Sequence, residues 1–236
     1  MSTESSLILW CLFAAVVLCG CAGGPDQGIR DLRDIRQDAR ACLGEGSNLP
    51  AVSPRRQQKL FADFRARQFA PWHKKVPATM LEDVRKPFDA CEKNPGYGED
   101  ARIHPPAWMN TLRLQADLGH YPNVRRPGVT LRNTELRELP TRRPRFDDFY
   151  RSGLGYPFDT LQLSGVWACT PVFVCHSSAD GAWLFVETPF EEGWMPAEDV
   201  ATVDESMMQM WEASDLAAVI RDDLSVQDRD GTFRFH

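Results

Sequence analysis

The apolar positions of this chain change rhythm near residue 129, from a helical spacing to the alternation of strands. Ile29, Leu32, Ile35 and Ala39 recur at helical intervals, which predicts a first helix over 28–41. Ser53 and Pro54 then offer an N-cap and a proline at the first helical position. Leu60, Phe61, Phe64 and Phe69 mark the apolar side of that second helix, which must stop before Pro71. A third is expected over 80–91, kinked or ended early by Pro87. Asn94-Pro95-Gly96-Tyr97-Gly98 is a turn, and Pro105-Pro106 opens a fourth helix with Trp108, Met109, Leu112 and Leu114 as its apolar face. From 129 short alternating runs follow at 129–132, 136–139, 160–163, 172–175, 183–187, 194–195 and 200–203, broken by Pro, Gly and Asn. Asp180-Gly181 is a strong hairpin signal between two of them. Such a series predicts a small barrel over 125–204.

After the barrel, Asp204 caps a short helix whose apolar residues are Met207, Met208 and Trp211. Runs at 217–220, 224–226 and 232–235, with turn residues at 228–231, look like the opening of a second β unit. The expected fold class is therefore α+β: an irregular helical N-terminal domain over 22–124, the barrel over 125–204, and a linker helix with an incomplete second unit over 205–236.

Hydrophobic residues make up 43% of the 236 positions, enough for ordinary buried cores, and the net charge of -6 excludes the basic footprint of a nucleic-acid binder. Arg125-Arg126 and Arg142-Arg143 read as solvated loop charge. No Gly-rich phosphate loop and no CxxC occurs, so neither a cofactor nor a metal site is expected. The apolar run 7–18 suits a signal-peptide core better than a membrane span, with an uncleaved anchor as the alternative. It ends in Leu18-Cys19-Gly20-Cys21, which resembles a bacterial lipobox. Residues 1–21 are thus expected to be a lipoprotein signal, with Cys21 lipidated and the chain held to a membrane facing the periplasm, the outer membrane by the absence of Asp after Cys21.

Seven cysteines are present, of which Cys42, Cys91, Cys169 and Cys175 follow the signal region. Cys42 with Cys91 is the expected disulfide, because the extended run between Cys169 and Cys175 separates those two beyond bridging distance. Cys175 and His176 are neighbours on a strand, where alternation should point them to opposite faces and keep them from acting as a thiol–imidazole pair.

Several long motifs resemble the N-terminal half of bacterial lipoproteins of the NlpC type. They are FAPWHKKVPA at 69–78, NPGYGED at 94–100, HPPAWM at 104–109, YPNVRRPGVTLRNTELRELPT at 121–141, GYPFDTLQLS at 155–164, TPVFVCHSSADGAWLFVE at 170–187 and GWMPAEDVA at 193–201. The resemblance implies a helical stabilising domain, then bacterial SH3 domains, then a papain-like cysteine peptidase that cuts γ-D-glutamyl to diamino-acid bonds in peptidoglycan stem peptides. The nucleophile motif of that peptidase appears nowhere in these residues, so no catalytic residue is assigned.

In such proteins the first SH3 domain borders the catalytic groove and helps to recognise the free amino end of the stem peptide. Binding an ammonium group calls for a carboxylate or an aromatic face. Tyr156, Asp159, Asp180 and Trp183 are the candidates by residue type and motif position. Six aromatic residues, Tyr156, Phe158, Trp167, Trp183, Phe185 and Trp194, crowd one short stretch, more than a small core can enclose, so some must face solvent. The reading is a non-catalytic envelope lipoprotein that binds stem peptides or docks a separately encoded peptidase domain. The alternative is a truncated or split endopeptidase.

Overall fold

The computed structural model describes residues 52–215 and, as backbone only, the strands at 224–227 and 232–235. The 1–21 signal segment with Cys21, the 28–41 helix, Cys42 and the run 217–220 lie outside the described residues.

Helix α1 spans Pro54–Phe69, with proline at its start, and a 3-10 turn follows at Ala70–His73. Of its expected apolar side only Phe69 is buried, while Leu60, Phe61 and Phe64 are exposed. Helix α2 spans Leu81–Lys93 and runs through Pro87 without ending there, two residues further than expected. Val84, Phe88 and Cys91 form its buried side. Helix α3 spans Pro106–Ala116, where Trp108, Met109, Leu112 and Ala116 face inward and Leu114 faces solvent instead of the core. It stops at Asp117, whose positive φ of 50° breaks the helical path. No helix among the described residues is long and apolar enough to cross a membrane.

Seven strands build one antiparallel sheet in the order β3-β2-β6-β5-β4-β1-β7. They are β1 Arg126–Thr130, β2 Thr134–Arg137, β3 Gln162–Val166, β4 Pro171–Ser177, β5 Trp183–Glu187, β6 Glu192–Pro196 and β7 Val200–Thr202. Leu136, Val166, Val172, Val174, Val186 and Met195, from five different strands, meet in one cluster, so the sheet curls around its own side chains. Its other face does not meet water at the centre. Phe173, Cys175, Trp183, Phe185 and Trp194 pack there with Val84, Phe88, Trp108, Met109 and Leu112 of the helices. Strand β4 is accordingly buried on both faces from Pro171 to His176. Helices and sheet share this core.

Two further contacts fix the helical part. Phe69 and Trp72 pack with Val129, Val203, Met207, Met208 and Trp211, and the Trp72 indole donates to the Gly128 carbonyl at 2.6 Å. Helix α4, Glu205–Ala213, begins as expected with the Asp204 carboxylate accepting from the Met207 amide at 2.8 Å. Strands β8 Leu224–Gln227 and β9 Thr232–Phe235 pair as a separate antiparallel hairpin.

Candidate functional site

Between β2 and β3 the chain makes its longest excursion within the sheet, and two buried arginines tie the base of that loop down. Arg145 donates to the Asn94 carbonyl at 2.8 Å, to Asp147 at 2.7 Å and to the Thr160 hydroxyl at 2.7 Å. Arg137, at the end of β2, reaches Glu135 at 3.0 Å, Gln162 at 3.1 Å and Asp159 at 2.8 Å. Asp159 also accepts from the amides of Arg145 and Leu161. Phe146, itself buried, forms a backbone bridge with Tyr97: the Tyr97 amide donates to its carbonyl at 2.8 Å and its own amide donates back at 2.9 Å. Gly96, at a φ of +67°, lets the chain turn against Phe146, where a Cβ would stand 2.6 Å from the Phe146 carbonyl oxygen.

Above this base the loop is aromatic and open. Phe146 and Phe149 meet edge to face at 5.5 Å, Phe149 and Tyr150 at 5.6 Å, Tyr97 and Tyr150 at 6.2 Å, and Phe146 and Tyr156 at 6.3 Å. Tyr150, Tyr156 and Phe158 remain 76%, 77% and 57% exposed. Three large rings thus stay exposed on a loop whose base is tied down by Arg137 and Arg145. Among the six crowded aromatics, Tyr156, Phe158 and Trp167 face solvent, whereas Trp183, Phe185 and Trp194 are buried.

The four candidate residues fall into two pairs that no contact joins. Tyr156 stands on the loop and is free to meet a ligand. Asp159 beside it is not, since its carboxylate is occupied by Arg137 and two amides. Asp180 is likewise committed, accepting from Ser178 at 2.6 Å, the Ala182 amide at 3.0 Å and Gln115 at 2.6 Å. Burial opposes its charge, yet these donors hold its carboxyl below the ordinary range. Trp183 is 8% exposed and belongs to the shared core, where its edge lines a recess of about 570 Å³ with Leu112, Pro140 and Gly181. Tyr150, missed in the sequence, stands in the run FDDFY, whose acids suggest only a solvated turn.

A second recess, of about 160 Å³, lies between α2 and the sheet and is lined by Asp83, Glu138, Glu191 and Glu192 against Val84, Pro87 and Phe185. Burial raises the Glu138 and Glu192 carboxyls above the usual value, for Glu192 helped by Glu191.

Two thiols and two imidazoles, those of Cys91, Cys175, His104 and His176, are buried. Cys91 packs with Val84, Phe88 and Leu112 inside the core, while Cys42, its expected partner, lies outside the described residues. Burial pushes Cys91 and Cys175 up in pKa, away from the thiolate. A register shift between Val174 and His176 breaks the expected alternation, so both Cys175 and His176 face the helical side. They still do not form a couple. The Cys175 thiol donates to the Phe173 carbonyl, and His176 Nε2 lies 2.8 Å from the Ala116 carbonyl. His104 stacks on Trp108 at 3.7 Å with Nε2 against the Pro144 carbonyl at 2.9 Å.

A helical subdomain sharing its core with a curled seven-stranded sheet, and a loop of exposed rings at the sheet's edge, define a small SH3-type β domain on a helical support. Residues 8–121 match the NLPC_P60 N-terminal stabilising domain and residues 144–196 match the SH3 domain of SH3b1 type. The chain belongs to the NlpC/P60-related proteins that combine these two domains. Among solved structures it is similar to an NlpC/P60 endopeptidase from Photobacterium damselae subsp. piscicida, at 21% identity and a TM-score of 0.63 over 76% of this chain. The chain spans half the length of that protein. Comparison with curated protein sequences gives no match.

Proposed function

We propose that this chain is a non-catalytic recognition component of the bacterial cell envelope, which binds peptidoglycan stem peptides through the aromatic loop of its SH3 domain. The observation that carries the reading is the exposure of Tyr150, Tyr156 and Phe158 on a loop pinned at its base by Arg137 and Arg145. Open aromatic faces give a short peptide flat apolar contact, and attract its ammonium group through the ring quadrupole. The acid-lined recess beside α2 adds negative potential of the same sense. Lipidation at Cys21 would hold the module to a membrane facing the periplasm, where such peptides lie. The high thiol pKa values of Cys91 and Cys175 agree with a role without covalent catalysis.

A second reading has a specific observation behind it. The similar endopeptidase extends over twice the matched length, so the aromatic loop would equally serve to dock a peptidase domain. Retention of the chain on purified sacculi tests the first reading: binding is expected, and its loss in the variant combining Tyr150→Ala and Tyr156→Ala. No retention of the unaltered chain would overturn stem-peptide binding, and hydrolysis of stem peptides by the chain alone would overturn its non-catalytic character.

A further inference from the structure

At one end of the curled sheet the interior opens as a groove of about 580 Å³. Val174, 2% exposed, is its floor, and Val124, Leu184 and Val200 form half-buried walls that continue the apolar cluster within the sheet. Arg125 and Arg126 stand on the rim, both exposed and without an ion-pair partner among the described residues. The segment carrying them is held in place by Asn123, whose side chain accepts from the Ser177 amide at 2.7 Å and donates to its carbonyl at 3.0 Å. No carboxylate lines the groove, in a chain whose net charge is -6.

We infer that this groove is a docking site for an extended acidic peptide segment of a partner protein, an aliphatic side chain entering between Val124, Leu184 and Val200 while flanking carboxylates pair with Arg125 and Arg126. The guanidinium fork matches a carboxylate in two hydrogen bonds, which makes a pair of unpartnered arginines selective for acids. An apolar floor continuous with a protein core gains most from a side chain that displaces its water. Two other anionic occupants fit less well. Nucleic acid calls for a basic stripe longer than two arginines and offers no aliphatic side chain for the recessed floor, and a bilayer meets protruding apolar groups, whereas these are recessed. The inference stands apart from the aromatic loop and does not depend on stem-peptide binding.

The test is fluorescence anisotropy of the full chain with a dye-labelled, acetylated and amidated heptapeptide, in which leucine is flanked by glutamates on a glycine background. Saturable binding is expected, weakening about tenfold, or ~1.4 kcal/mol, in the variant combining Arg125→Ser and Arg126→Ser. Both positions are exposed, so the fold is retained. Replacing the peptide's glutamates by glutamine, or its leucine by serine, should weaken binding comparably and involves no change to the protein. Unaltered affinity in the double variant, equal binding of the glutamine peptide, or no saturation below ~1 mM would each overturn the inference. Displacement of the probe by sacculus-derived peptides would give the groove to the wall and overturn the protein partner.

Discussion

The Arg137 guanidinium donates to the Asp159 carboxylate over 2.8 Å, with the two side chains only 3% and 17% exposed. One charge is supplied at the end of β2 and the other just before β3, so the pair closes the aromatic loop at its base. Removing Asp159 strands a buried cation and leaves the Arg145 and Leu161 amides without their acceptor. Glu135 remains within reach of Arg137, which places Asp159→Ala at the lower end of the cost of breaking a buried pair, about 3 kcal/mol. Urea denaturation measures it. A loss below about 1 kcal/mol would mean that Glu135 alone satisfies the arginine.

Gly155 gives a way to disturb the loop while leaving the charges in place. A Cβ there would lie 2.2 Å from the Phe149 carbonyl oxygen and 2.7 Å from its carbon, both backbone atoms that can yield only if the loop moves. Gly155→Ala should cost about 1–3 kcal/mol and abolish retention on sacculi with an unchanged far-ultraviolet circular dichroism spectrum. Gly153 is the control. Its φ of +81° strains an alanine, but nothing lies within 4 Å of the added carbon, so retention should survive.

The sheet was legible where a strict alternation met a turn signal. Strand β5 has the expected limits, Trp183 and Glu187, because from Asp180-Gly181 onward its residues alternate between the core shared with the helices, Trp183 and Phe185, and the curled interior, Leu184 and Val186. The Asp204 cap was legible for the same local reason. What escaped the sequence is what depends on distant partners. Arg137 looks like solvated charge until Asp159, 22 residues on, folds back to it, and Arg145 looks the same until Asn94 and Thr160 meet its guanidinium. Asp159 and Asp180 look like ligand carboxylates because an acid in a loop has the same sequence signature whether it meets a peptide or its own backbone. The turn of His176 toward the helices follows from a bulge, which no residue type announces.

His176 makes stability depend on pH near neutrality. Fully buried, with Nε2 against the Ala116 carbonyl, it is held below the ordinary histidine value of 6.5 by burial. The carbonyl and Asp117 work the other way without reversing the shift, and His120 adds to it. His104 is lowered by burial as well. A histidine whose folded pKa is depressed binds its proton more readily once unfolded, so stability is whole above 6.5 and declines as pH falls below it. The urea midpoint should therefore drop between about pH 7.5 and about pH 5.5. His176→Gln should flatten part of that slope, and an unchanged slope would assign the effect elsewhere.

Glu187 acts in a lower window and ties the 74–79 segment to β5. Its carboxylate, all but inaccessible, accepts from the Lys74 ammonium at 2.5 Å, the Ala78 amide at 2.7 Å, and the Thr79 amide and hydroxyl at 2.8 and 3.0 Å. Burial opposes the charge, but Lys74 and Thr79 outweigh it and hold the carboxyl below its ordinary 4.5. A depressed carboxylate stabilises the fold fully above its unfolded pKa, and the contribution disappears as pH falls from 4.5 through the lowered value. Glu187→Gln keeps the shape but loses the charge, leaving Lys74 partly buried without its partner. The expected cost at pH 7 is about 2–3 kcal/mol, less than for a wholly enclosed pair because Lys74 keeps some contact with water. Glu138 has the opposite sign. Its carboxyl is raised by burial, so its ionised form weighs against the fold, and Glu138→Gln should stabilise the protein at pH 7. Urea titrations at neutral and acid pH separate the two: the deficit of Glu187→Gln should shrink well below pH 4.5, and a deficit constant with pH would show that packing, not charge, is what the substitution removes.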